Sequence, residues 1–169
     1  MDRNKFKKLI SFLESSGGKD TDHSLMASGI HKGTSAMGEY GMMPNTAQHM
    51  ARVNIRDKKS TPLDEVVANI DPSQIEEVLS SNPNKTKEYV NAYMDRVLNS
   101  SDSMKDAATK WMAGPNASEK TMDRVDKNNP GRLDKLRQFM DNYKPEPQTI
   151  DDLIPSDEKE VLMSKIRGK

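Results

Sequence analysis

Apolar residues recur along this chain at helical rather than strand spacing. Phe6, Leu9, Ile10 and Leu13 share one face of an opening helix that delivers Glu14 at its end. Tyr89, Val90, Tyr93, Met94, Val97 and Leu98 define a longer helix from about Lys85 to Asn99. Met104, Ala107, Ala108, Trp111 and Met112 lie on a helix that Gly114-Pro115 ends, and Leu133, Leu136, Met140 and Tyr143 mark a last one. Between these, Asn45 or Thr46 caps a helix reaching about Arg56. Thr61-Pro62 and Asp71-Pro72 each put a cap residue ahead of proline at the first helical position, where its missing N–H costs nothing. The two short helices so started end near Ile70 and Ser80. No stretch sustains strict apolar–polar alternation, so the expected fold is all-α.

Two segments break the pattern. Residues 15–44 are rich in Gly, Ser and Thr and read as a long functional loop region. Lys144-Pro145-Glu146-Pro147-Gln148 is a stiff polar spacer. The expected organisation is therefore a domain over residues 1–143, a linker over 144–149 and a C-terminal tail over 150–169. Leu153, Ile154, Val161, Leu162 and Ile166 give that tail a narrow apolar stripe, too short to stand alone as a helix in water and suited to docking on a partner.

Composition narrows the function. Apolar residues make up 33% of the 169 and charged residues 31%, so the core is thin, and the 12 methionines are candidates to fill it. Twenty-six basic and 26 acidic residues leave no net charge to draw the chain to nucleic acid. Without cysteine there is no disulfide and no thiolate metal site. No apolar run approaches the ~20 residues that span a bilayer, so membrane insertion is not expected. Leu9 to Leu13 is too short for the apolar core of a signal peptide. His23, His31 and His49 match no zinc spacing and read as hydrogen-bonding side chains; no metal and no cofactor is expected.

The chemistry concentrates in Phe12 to Ala47, FLESSGGKDTDHSLMASGIHKGTSAMGEYGMMPNTA. Glu14 sits where a hydrophobic helix runs into a Ser-Ser-Gly-Gly turn, and Ser35 to Ala47 follows as a Gly-rich stretch ending in a helix start. This resembles the lytic transglycosylase family, the soluble lytic transglycosylase and goose-type lysozyme group, which carries Glu-Ser at a helix end and then a GAMGLMQIMPxTA-like stretch. Ala36, Met37, Gly38, Met43, Pro44, Thr46 and Ala47 match it. Ala107 to Asn116 is similar to the family's AAYNAGPG segment, in the right order.

The resemblance implies a lysozyme-like domain that cuts the β-1,4 bond between N-acetylmuramic acid and N-acetylglucosamine in peptidoglycan. Glu14 would be the catalytic residue, first giving a proton to the leaving oxygen and then taking one from the muramyl 6-hydroxyl. Apolar Phe12 and Leu13 and the negative end of a helix dipole suit a carboxyl that must keep its proton. Ser15, Met37, Gly38, Tyr40, Gly41, Trp111 and Gly114 form the expected substrate-binding set. Ser15 either orients the carboxyl or a sugar N-acetyl group, or closes the turn. Tyr40 stacks on a sugar or joins the core, and Trp111 likewise serves substrate or core. Asp20 and Asp22 are turn residues or, in a hydrolase, an assisting acid.

Gly41 stands where the family usually has Gln, and Trp111-Met112 where it has Tyr-Asn. The segment from His23 to Thr46 is similar to transglycosylase domains of tailed-phage particles. With the missing signal peptide, that points to a virion component acting on the host wall, with glycan strands and other virion proteins as partners. The alternatives are a free phage endolysin and a catalytically dead lysozyme-like adaptor of the particle.

Overall fold

The computed structural model describes residues 1–19, 35–118, 121, 127 and 131–143. Among these the fold is all-α, and the only strand-like pairing is one antiparallel bridge between Met37 and Met42. The helices are α1 (Arg3–Ser15), α2 (Pro44–Arg56), α3 (Pro62–Asn69), α4 (Pro72–Ser80), α5 (Pro83–Asn99), α6 (Met104–Ala113) and α7 (Arg132–Asn142).

Proline sets the start of four of them. Pro62 and Pro72 open α3 and α4 as the cap–proline pairs predict. The same rule holds at two places where the expected starts fall late. Pro44 opens α2, so the cap is the backbone of Met43 rather than Asn45 or Thr46, and Pro83 opens α5 two residues before Lys85.

The core runs along α1, α5 and α6. Phe6, Leu9, Ile10 and Leu13 are all buried, and they meet Tyr89, Val90, Tyr93, Met94 and Val97 of α5 with Ala107, Ala108 and Trp111 of α6. Phe6 packs edge-on to Trp111 with ring centroids 6.2 Å apart, and Tyr93 lies 5.0 Å from the same indole. Methionine fills gaps at Met37, Met42, Met50 and Met94, whereas Met1 and Met140 are exposed. The expected face of α7 is corrected there: Leu136 is buried, with Leu133 and Phe139 packed beside it, and Met140 points outward.

A second centre ties α2, α3 and α5 together around Asp64, which is fully buried. Its Oδ1 accepts from Asn54 Nδ2 and from the Tyr89 hydroxyl, both at 2.9 Å. Its Oδ2 accepts from the Thr61 amide and hydroxyl, both at 2.7 Å, and pairs with Lys85 Nζ at 2.8 Å. Burial alone would raise its pKa. The hydrogen bonds from Lys85, Thr61 and Asn54 outweigh burial and hold the carboxyl well below the usual carboxylate range.

The linker over 144–149 and the tail over 150–169 lie outside the described residues, as do Asp20, Asp22, His23 and His31. His49 stands on α2. Partial burial, then the charges of Arg96, Arg56 and Arg52, lower its pKa.

Candidate active site

The carboxyl of Glu14 is placed by the way α1 ends. Ser16 adopts the left-handed conformation with φ 52°, its N–H returning to the Ser11 carbonyl, and Gly17 and Gly18 continue with φ 78° and 80°. Such a run is cheap only for glycine and small polar residues, so the Ser-Ser-Gly-Gly sequence stops the helix one residue past Glu14. Ser15 closes the turn: its hydroxyl donates to the Ser11 carbonyl at 3.0 Å and accepts from the Gly18 amide at 2.8 Å. Ser15 is 1% exposed and its hydroxyl is spent within the chain.

Against this helix end lies the Gly-rich turn. The Met37 and Met42 backbones exchange hydrogen bonds of 2.8 and 3.1 Å, and Gly38 and Gly41 take φ of 64° and 59° between them. Gly41 faces Glu14 directly. A Cβ placed on Gly41 would fall 2.8 Å from Glu14 Oε2 and 3.0 Å from its carboxyl carbon, so no side chain fits there while Glu14 holds this position. Glycine at this position therefore has a physical reason. The turn is held from behind by Trp111, whose indole N–H donates to the Tyr40 carbonyl at 3.1 Å.

Two charged groups at this site are not visible in the sequence pattern. The first is Arg132, at the start of α7. Its Nη1 donates to Glu14 Oε1 at 2.6 Å and its Nη2 to Oε2 at 3.0 Å, a two-pronged pair across 118 positions of sequence. To the apolar neighbours and helix end expected around this carboxyl the structure adds a cation. The second is Glu39, inside the Gly-rich turn, which accepts from the Ser11 hydroxyl at 2.6 Å. Ser11 lies one helical turn before Glu14, so the two carboxylates lie along the same side of α1. Burial, then the charge of Glu39 and a hydrogen bond to it, push the Tyr40 phenol up to about 12.

A cavity of about 560 Å³ opens between the turn and α4 and α5. Met37, Gly38, Glu39 and Tyr40 line it, with Glu76 and Asn91 across from them. Ser35 donates its hydroxyl to Glu76 at 2.8 Å and so ties the entry of the turn to α4.

Comparison with protein-family models, with curated proteins and with solved structures gives no match to this chain.

The expected site residues thus divide in three. Met37, Gly38 and Tyr40 line the cavity, and Gly41 abuts Glu14. Ser15 and Trp111 are buried behind the site and hold its shape, with Trp111 8% exposed. Gly114 ends α6 with φ 95° and has nothing within 4 Å of where its Cβ would lie. Among the described residues no group of three or more His, Asp or Glu side chains is arranged to hold a metal ion, and no helix is long and apolar enough to cross a membrane. The signal that could have found Glu39 is its position between two glycines that both need positive φ, a place where a charged side chain is aimed by the backbone.

Proposed function

We propose that this chain is a peptidoglycan lytic transglycosylase with a lysozyme-like domain, carried in a phage particle and acting on the host wall. The observation that carries the reading is a carboxyl 9% exposed at the end of α1 with the bare backbone of Gly41 against it, on a turn whose other residues line a cavity. Glycine at that place lets a ligand and the carboxyl approach the same stretch of backbone.

In this reaction Glu14 gives its proton to the glycosidic oxygen as the bond to the anomeric carbon breaks. The muramyl 6-hydroxyl then bonds to that carbon and returns its proton to Glu14, leaving a 1,6-anhydro end without consuming water. Glu39 is the second carboxylate that hydrolysis, as in a free endolysin, would draw on. The tail over 150–169 would dock the enzyme on other virion proteins, and truncation after Tyr143 should then preserve glycan cleavage while abolishing packaging.

Purified wall digested with the native chain and with Glu14→Gln tests the core of the reading. The native chain should release fragments ending in 1,6-anhydromuramic acid, one water lighter by mass spectrometry than hydrolytic ends. The Gln variant should release none. The competing reading, an adaptor built on a dead lysozyme-like domain, is favoured by the pairing of both Glu14 oxygens with Arg132. It requires that neither protein cleaves.

A further inference from the structure

We propose that Arg132 is a latch: α7, docked on α1, holds Glu14 in a masked form, and glycan binding must draw the start of α7 away before the carboxyl can act. The inference rests on Glu14 being the acid of the reaction above.

Three observations carry it. Both carboxyl oxygens are engaged by one guanidinium, at 2.6 and 3.0 Å, and Gly41 lies close against the same carboxyl. A carboxylate held this way is a charge partner, and its oxygens are not presented to a glycosidic oxygen. Second, each charge sits at the wrong end of its own helix. Glu14 is at the C-terminal end of α1, where the dipole disfavours an anion, and Arg132 opens α7, where it disfavours a cation. Each relieves the other only while the helices are docked.

Third, α7 is built to part from the rest. Among the described residues its extensive packing is with α1 alone. It runs antiparallel along that helix, with Arg132 at Glu14, Phe139 at Phe12 with ring centroids 5.9 Å apart, and Tyr143 under Lys5 Nζ at 5.1 Å. Leu136 is its one fully buried side chain, Leu133 and Phe139 are half-buried beside it, and the ion pair and the Lys5–Tyr143 contact complete the hold, a lighter attachment than joins α1, α5 and α6.

The latch predicts a particular kinetic signature, because a ligand that binds only the open form sees its affinity reduced by the fraction open. Arg132→Gln should lower the half-saturating concentration of purified sacculi by about tenfold and keep turnover at saturation within about twofold. Arg132→Lys, which keeps the charge and loses the fork, should fall between the two. A readout besides activity uses the absence of cysteine from the chain. Phe139→Cys should react with a thiol reagent faster when combined with Arg132→Gln, and also when chitotetraose is added to the single variant.

If Arg132→Gln instead loses turnover with its half-saturation unchanged, or the thiol labelling rate of the Phe139→Cys variant responds to neither change, the latch is overturned while the role of Glu14 stands. If Glu14→Gln cleaves as well as the native chain, the assignment of Glu14 falls and the latch falls with it.

Discussion

Asp64 and Glu14 are both carboxylates drawn out of solvent, and each faces a cation. Their surroundings differ in kind. Asp64 is met by donors from two other helices and from the cap of its own, all fixed by short-range backbone geometry or by core side chains such as Tyr89. Glu14 has its guanidinium from one lightly docked helix, and the backbone of Gly41 lies close against it. The first arrangement spends every lone pair on holding elements together. The second leaves a charge whose partner can be removed by moving one element, which is what a working carboxyl needs and a structural one cannot tolerate.

The sharpest way to break the comparison is to remove each carboxylate in turn. Asp64→Ala takes the acceptor from the buried Tyr89 hydroxyl and the Thr61 donors and leaves Lys85 and Asn54 with Glu88 alone, and should cost about 3 kcal/mol or more in urea unfolding. Glu14→Gln keeps the shape and one acceptor for Arg132, so its cost should be about 1–3 kcal/mol, with loss of all glycan cleavage. Equal losses of stability would mean that the two sites do the same job.

Next in size is Gly41→Ala. The new methyl would sit 2.8 Å from Glu14 Oε2 on a backbone with φ 59°. We expect about 1–3 kcal/mol of destabilisation from the strained backbone and the displaced carboxyl. Glycan turnover should fall by about 100-fold, since an ångström of misplacement at an acid is that costly. An active, stable Ala variant would show that the approach of Gly41 to Glu14 has no bearing on the chemistry.

Acid separates the two sites more gently. The folded-state pKa of Asp64 lies below its unfolded value, so the unfolded chain takes up the proton first. The stability that Asp64 brings is present in full above about pH 5 and is lost as pH falls below about 4. The urea midpoint should therefore drop between about pH 5 and 3, and Asp64→Asn should flatten part of that slope. An unchanged slope in Asp64→Asn would place the acid sensitivity elsewhere.

The two sites are unequally legible in the sequence. Glu14 can be found because everything that places it is local: an apolar stripe ending at Leu13, then Ser16 and Gly17, which can turn left-handed. The same locality makes α3 and α4 readable from Thr61-Pro62 and Asp71-Pro72. Applying the cap rule to the polar residues after Pro44 starts α2 late, and reading α5 from its apolar pattern alone misses the start at Pro83. Arg132 cannot be found this way, because its partner is 118 positions away and spacing alone misjudges the face of α7 that docks. That spacing puts Met140 inside and leaves Phe139 without a place, the reverse of what the packing on α1 requires. Asp64 shows the same limit. Its place three residues after Thr61 marks a cap, while its burial depends on Tyr89 and Lys85 arriving from α5. What spacing carries is the helix and its end; what it omits is which distant charge settles there.

The smallest effect expected is at Trp111, and it tests whether the turn needs outside support. The indole N–H holds the Tyr40 carbonyl from α6, while the ring packs on Phe6 and Tyr93. Trp111→Phe keeps most of the aromatic contact and removes only the donor. Tyr40 is half-buried, so water can replace part of the lost bond, and the cost to stability should be about 1 kcal/mol. The two glycines at positive φ supply no rigidity of their own, so a turn released at Tyr40 should let Gly41 shift against Glu14. Glycan turnover should then drop several-fold, out of proportion to the stability change, and Trp111→Phe combined with Gly41→Ala should lose little more than Gly41→Ala alone. Full additivity of the two variants would mean that Trp111 acts only through the core and that the turn keeps its shape unaided.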